Sequence, residues 1–120
     1  MKAEGLRTVG YFVGDLEKAK QWYNEVFETE PYFDEPFYVG YNIGGYELGL
    51  MPNEEGIVKG DNVLVYWGVT DAAKTLEELT NKGATIHTGL QDVGEGILLA
   101  TVKDPWENIL GIIYNPHFKL

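Results

Sequence analysis

The sequence repeats its own plan. With Val13 set on Val69, Tyr11 falls on Trp67, Asp15 on Asp71 and Tyr23 on Leu79, all at one constant offset. Each half begins with an apolar run that alternates as a strand does. An aspartate, an amphipathic run and three short strand-like runs follow. A repeat of this length restricts the chain to two similar units, each with the order strand, helix, three strands. In the first half "LRTVGYFV" is the strand and "GDLEKAKQWYNEVF" the helix. Asp15 is placed to cap it, and Leu16, Ala19, Tyr23, Val26 and Phe27 form its buried stripe. "PYFDE", "FYVGYNIG" and "YELGLMP" are the three following strands. Pro36 parts the first two and the Gly44-Gly45 hairpin signal the last two. In the second half "NVLVYWGV" precedes the helix "TDAAKTLEELTNKG". Asp71 is its cap, Ala72, Leu76 and Leu79 its stripe, and Gly83 its stop; "ATIHTG", "GILLATVKD" and "NILGIIYN" complete the unit. The expected organisation is one domain over 1–120, with modules at 1–52 and 62–120 and a polar linker, "NEEGIVKGD", at 53–61.

Alternation assigns the faces. Val9, Tyr11 and Val13 should lie under the first helix, with Thr8, Gly10 and Phe12 opposite. Leu48 and Leu50 join the helix side, and Glu47, Gly49 and Met51 oppose them. In the second half Val65, Trp67, Val69, Leu110 and Ile112 face the helix, which leaves Leu64, Tyr66, Gly68, Ile109, Gly111 and Ile113 opposite. The face without a helix is therefore apolar or small, and must close on a ligand or on another layer. Aromatic and aliphatic side chains with glycines between them suit an apolar or planar small molecule; a filled core is the alternative.

Composition narrows the function. A formal net charge of −10 repels phosphate backbones, so no nucleic-acid partner is expected; its long-range field would favour cationic small molecules. A hydrophobic fraction of 44% supports a folded globule, yet no run is long enough to span a membrane. "MKAEGLRTVG" carries no apolar signal core, so a cytoplasmic location is expected. The absence of cysteine excludes disulfides, thiolate metal sites and a cysteine nucleophile. No nucleophile–base pair stands out. His87 and His117 read as ordinary surface or edge histidines, and Glu54-Glu55 and Glu77-Glu78 as solvated surface. Asp104-Pro105 reads as a turn before the last strand, and "GEG" at 94–96 is too short and acidic to cradle a phosphate.

The run "VGDLEKAKQWYNEVF" fits the signature V-x-D-L-x-x-A-x-x-F/W-Y-x-x-x-L/F. Together with "VTDAAKTLEELTNKGATI" and "VKDPWENILGII", which fits D-P-x-G-N-x-x-E-L at Asp104, Pro105, Asn108 and Ile112, it resembles the glyoxalase, bleomycin-resistance and extradiol-dioxygenase (vicinal oxygen chelate) superfamily over nearly the whole chain. The resemblance implies an α+β fold of two βαβββ modules. Each is a half-barrel sheet with its helix outside, and the two surround a cavity in a chain that commonly forms homodimers.

Metal-using relatives carry His, Glu or Gln ligands on four strands. The matching positions here are Thr8, Gly49, Leu64 and Gly111, none of which supplies a strong ligand. The resemblance then implies a metal-free member, with no cofactor and no catalytic residue, that binds a planar or amphipathic ligand. The expected contacts are Thr8, Phe12, Met51, Tyr66, Ile109 and Ile113. Further contacts are Tyr41 as a hydrogen-bond donor, Trp106 as a stacking platform, and Glu47 and Glu107 as acids at the rim. Two other readings stay open: a metal-dependent lyase-, isomerase- or dioxygenase-like enzyme, and a non-catalytic dimeric module whose cavity is filled by its own side chains.

Overall fold

The computed structural model describes residues 1–120 and divides them into two compact units, Met1–Ile57 and Val58–Leu120. The first contains β1 (Thr8–Val13), α1 (Leu16–Phe27), β2 (Phe33–Glu35), β3 (Tyr38–Ile43) and β4 (Tyr46–Pro52). Its open sheet has the order β1-β4-β3-β2, with β1 parallel to β4 and the other pairs antiparallel. The second contains β5 (Tyr66–Gly68), α2 (Ala72–Asn81), β6 (Thr85–Asp92), β7 (Leu98–Lys103) and β8 (Ile109–Tyr114), in the order β5-β8-β7-β6 with only β5 and β8 parallel. The fold is thus α+β, with the strand-helix-three-strand order twice over.

Local chemistry fixes the elements where the sequence placed them. The Asp15 side chain accepts from the Lys18 amide and that of Asp71 from the Lys74 amide, so both helices begin at the expected caps. Gly44 and Gly45 both take positive φ and close the β3–β4 hairpin with two residues, which L side chains rarely permit. The core of each unit lies between helix and sheet. Val13, Ala19, Tyr23, Leu48 and Leu50 are fully buried in the first unit, where Tyr11 stacks on Tyr23 and Tyr23 on Phe27. Ala100, Val102, Leu110 and Ile112 line the helix-facing side of the second, with Ala72 and Leu79 of α2 also buried.

Two strands depart from expectation. β5 covers only Tyr66–Gly68, and Leu64 is exposed outside it. The register Tyr66↔Gly111 would bring Val63 opposite Asn108. The amide of Asn108 is already given to Asp104 Oδ1 and its carbonyl to the Asp104 amide, so the parallel ladder has no further partner there. β6 instead runs on to Asp92, through register shifts between Ile86 and Thr88 and between Thr88 and Gln91. Such bulges erase the alternation that marks a strand in sequence.

Glu107 sits at φ 68° in the turn before β8, where the family pattern has glycine. The left-handed conformation costs a side chain about 1–2 kcal/mol. Glu107→Gly gives up only a half-exposed ion pair to Lys103 at 3.6 Å. It is expected to raise stability by roughly 0.5–1 kcal/mol once the freer unfolded chain is counted, read as a higher urea midpoint.

Candidate ligand-binding site

On the first sheet's face opposite α1, register lines up three glycines across neighbouring strands: Gly10 with Gly49, and Gly49 with Gly40. Without side chains, this row forms a trough, and the chain lays its own residues in it. A Cβ added at Gly49 would meet Cζ of Tyr38 at 2.6 Å; one at Gly40 would meet the Tyr38 ring at 3.0 Å and the Tyr32 ring at 3.4 Å; one at Gly10 would meet Cε of Met51 at 2.8 Å. Glu47, one alternation step from Gly49 on β4, holds both rings. The Tyr32 hydroxyl donates to one carboxylate oxygen and the Tyr38 hydroxyl to the other.

The electrostatics follow from that geometry. Hydrogen bonds from Tyr32 and then Tyr38 stabilise the Glu47 anion and hold its pKa below the ordinary glutamate value, against a smaller opposing effect of burial. Tyr38 is pushed up by burial first and then by Glu47; Tyr32 is raised chiefly by its bond to Glu47. A depressed carboxylate pKa contributes stability above the unfolded-state value, and that contribution is lost as pH falls through the folded-state value. Tyr38→Phe should therefore destabilise the first unit near neutral pH, and its deficit relative to the native protein should shrink as urea titrations move below the usual glutamate range.

The second unit treats its matching glycine similarly. Tyr66 pairs with Gly111, and a Cβ on Gly111 would stand 2.8 Å from Cδ1 of the Tyr66 ring and would also clash with the Val65 carbonyl oxygen. In the first unit the covering tyrosine comes from β3; in the second it comes from β5, at the repeat position of Gly10. Thr101, opposite Gly111 on β7, is buried; its hydroxyl lies 3.0 Å from His87 Nδ1 and accepts from the Thr88 amide.

Phe12 and Met51 are register partners on the face opposite α1 and are half-buried, while Thr8 pairs with Glu47 and is exposed. In the second unit Tyr66, Ile109 and Ile113 flank Gly111; Ile109 is buried and the other two are half-buried. Three further expected contacts sit elsewhere in the two units. Tyr41 lies on the helix side, opposite Leu48, fully buried; its hydroxyl donates toward the Lys20 carbonyl and meets Asn24 Oδ1 at 2.6 Å, so that hydroxyl is not available to a ligand. Burial, followed by the charges of Glu30 and Asp34, raises its pKa. Glu107 is at the exposed turn and pairs with Lys103. Trp106 lies half-buried in the same turn, its amide donating to Asp104. Tyr32 and Tyr38 were missed as site residues, although "PYFDEPFYVGY" is the densest aromatic stretch in the chain.

The donor set does not fit a divalent metal at the positions relatives use. Thr8 offers one neutral hydroxyl on an exposed residue, Leu64 has no donor and lies outside β5, and Gly49 and Gly111 have no side chain and lie against tyrosine rings. No three His, Cys, Asp or Glu side chains converge elsewhere.

This architecture is shared with solved structures. A family model of the Glyoxalase/Bleomycin resistance protein/Dioxygenase superfamily matches residues 5–112, and the chain belongs to that superfamily. A glyoxalase-related enzyme from Fulvimarina pelagi superposes with a TM-score of 0.80 at 22% identity, over 98% of this chain and 93% of that one. A fosfomycin resistance protein, FosX, from Listeria monocytogenes gives 0.79 at 13% identity over 97% of each chain. A superfamily enzyme from Burkholderia phytofirmans PsJN gives 0.77 at 19%, over 89% and 95%. At these identities the likeness is one of fold. No curated protein matches the sequence. No helix is long and apolar enough to cross a membrane.

Proposed function

We propose that this protein is a metal-free small-molecule binding member of its superfamily, acting in the cytoplasm as a homodimer and taking a planar or amphipathic ligand against the sheet faces that carry no helix. The observation that carries the reading is the pair of tyrosine-covered glycines. Where metal-using relatives carry a ligand, Gly49 lies under Tyr38 and Gly111 under Tyr66. Tyr38 with Phe12 and Met51 on the first sheet, and Tyr66 with Ile113 on the second, each offer stacking and apolar contact in place of a Lewis acid. The cytoplasm suits a chain without cysteine, and the dimer is what the family resemblance implies; light scattering at micromolar concentration tests it.

The neighbouring fosfomycin resistance protein raises the enzyme reading, but the four substituted positions oppose a metal-dependent reaction of that kind. Thermal-shift screening of planar amphipathic compounds, in parallel with EDTA and with added zinc or manganese, tests the proposal. The expected result is stabilisation by at least one compound that is equal in both conditions. Stabilisation seen only with the metal would overturn it.

A further inference from the structure

We propose that the cleft beside Glu47 is a binding site for a small organic cation, an alkyl- or arylammonium group. This deepens the function proposed above and rests on it, since it names the chemical class of a ligand held by the first unit. The cleft is open to solvent, has a volume of about 260 Å³ at the end of the β3–β4 hairpin, and is lined by Tyr32, Tyr41, Asn42, Gly45, Tyr46 and Glu47. That is just under the ~300–1,000 Å³ of pockets for drug-sized ligands, so the guest is small.

Three features select a cation. Glu47 is bound by two neutral hydroxyls, which order the carboxylate without cancelling its charge. Arg7, whose carbonyl accepts the Glu47 amide, turns its guanidinium to the Glu4 carbonyl at 3.0 Å. Tyr32 lines the same cleft and is 63% exposed, so its ring remains reachable beside the anion. A carboxylate next to an accessible aromatic ring attracts an ammonium group through both charge and ring quadrupole. The Asn42 side chain fixes the hairpin end by accepting from the Gly45 amide at 2.8 Å, so that wall is preformed. The chain's net charge of −10 adds attraction at long range.

Choline and its neutral isostere 3,3-dimethylbutan-1-ol, titrated into the full chain and followed by amide NMR, separate charge from shape. Choline is expected to shift the amides of Gly45, Tyr46 and Glu47, and the alcohol to bind about fivefold more weakly or less. Glu47→Gln should weaken choline by a similar factor. Tyr32→Phe, which keeps the ring, should retain binding that Tyr32→Ala loses. Equal binding of the alcohol, or choline binding unchanged in Glu47→Gln, would overturn the site. Absence of choline shifts would also overturn it; if a neutral planar compound still stabilised the protein in EDTA, the broader metal-free reading would stand without it.

Discussion

Asp104→Ala is expected to lower the stability of the second unit by about 3 kcal/mol, seen as a fall of at least about 10 °C in melting temperature. Asp104 is only 2% exposed. Its Oδ1 accepts from the amides of Trp106 and Asn108, both at 2.8 Å, and its Oδ2 from the Asn108 side-chain amide at 3.0 Å. Lys59 reaches the far side of that amide, at 3.0 Å from Asn108 Oδ1, and partial burial lowers its pKa against the pull of Asp104 and Glu107. Truncating the carboxylate leaves three donors without their acceptor beside a buried position, and bonds to a charged acceptor are the strong kind. The network also starts β8, so its loss should expose the β8 amides early. Hydrogen exchange concentrated at Ile109–Gly111 is the accompanying signature. Asp104→Asn, which keeps the shape and some acceptors, should cost about half as much.

Gly111→Ala should cost a similar amount, about 3 kcal/mol, and more than Gly49→Ala at about 1–2 kcal/mol. The difference lies in what the new methyl meets. At Gly49 it meets the far end of the Tyr38 ring, which can swing away once it gives up Glu47. At Gly111 it meets the Val65 carbonyl, which accepts the Gly111 amide at 2.9 Å and cannot move without breaking the β5–β8 ladder. Gly68→Ala is the control: open space surrounds that position, so denaturant midpoints should move by no more than about 0.5 kcal/mol equivalent. Adding Tyr38→Ala to Gly49→Ala should recover part of the loss, a coupling that a double-mutant cycle reads directly. Gly111→Ala with Tyr66→Ala should recover little, because the obstruction there is backbone.

How much of this was legible in the sequence depends on the range of the interaction concerned. The helices were legible because their determinants are local: Asp15 and Asp71 cap them, and Ala19, Tyr23 and Leu79 keep helical spacing. The Gly44-Gly45 turn was legible because only a few residues tolerate its φ values. The faces of β1, β4 and β8 followed from alternation. β5 was overread because its length is set by the turn that occupies Asn108, a partner far along the chain. β6 was underread because bulges break its period.

The site divides along the same line. Glu47 and the two glycines could be placed on the open face from β4 and β8 alone. That Tyr38 covers Gly49 depends on the pairing of β3 with β4, which alternation within one strand does not specify. The face of Tyr41 was not legible, because a tyrosine suits either face; the acceptors at Asn24 and Lys20 that satisfy its hydroxyl belong to α1.

We propose that this superfamily member carries tyrosine-covered glycines where metal-using relatives carry ligands. Metal content of the untagged protein, measured by mass spectrometry after dialysis and again after incubation with zinc, nickel, manganese or ferrous iron, tests it most directly. The account predicts metal far below one equivalent per chain in every sample. Near-stoichiometric retention of any of these ions would contradict it.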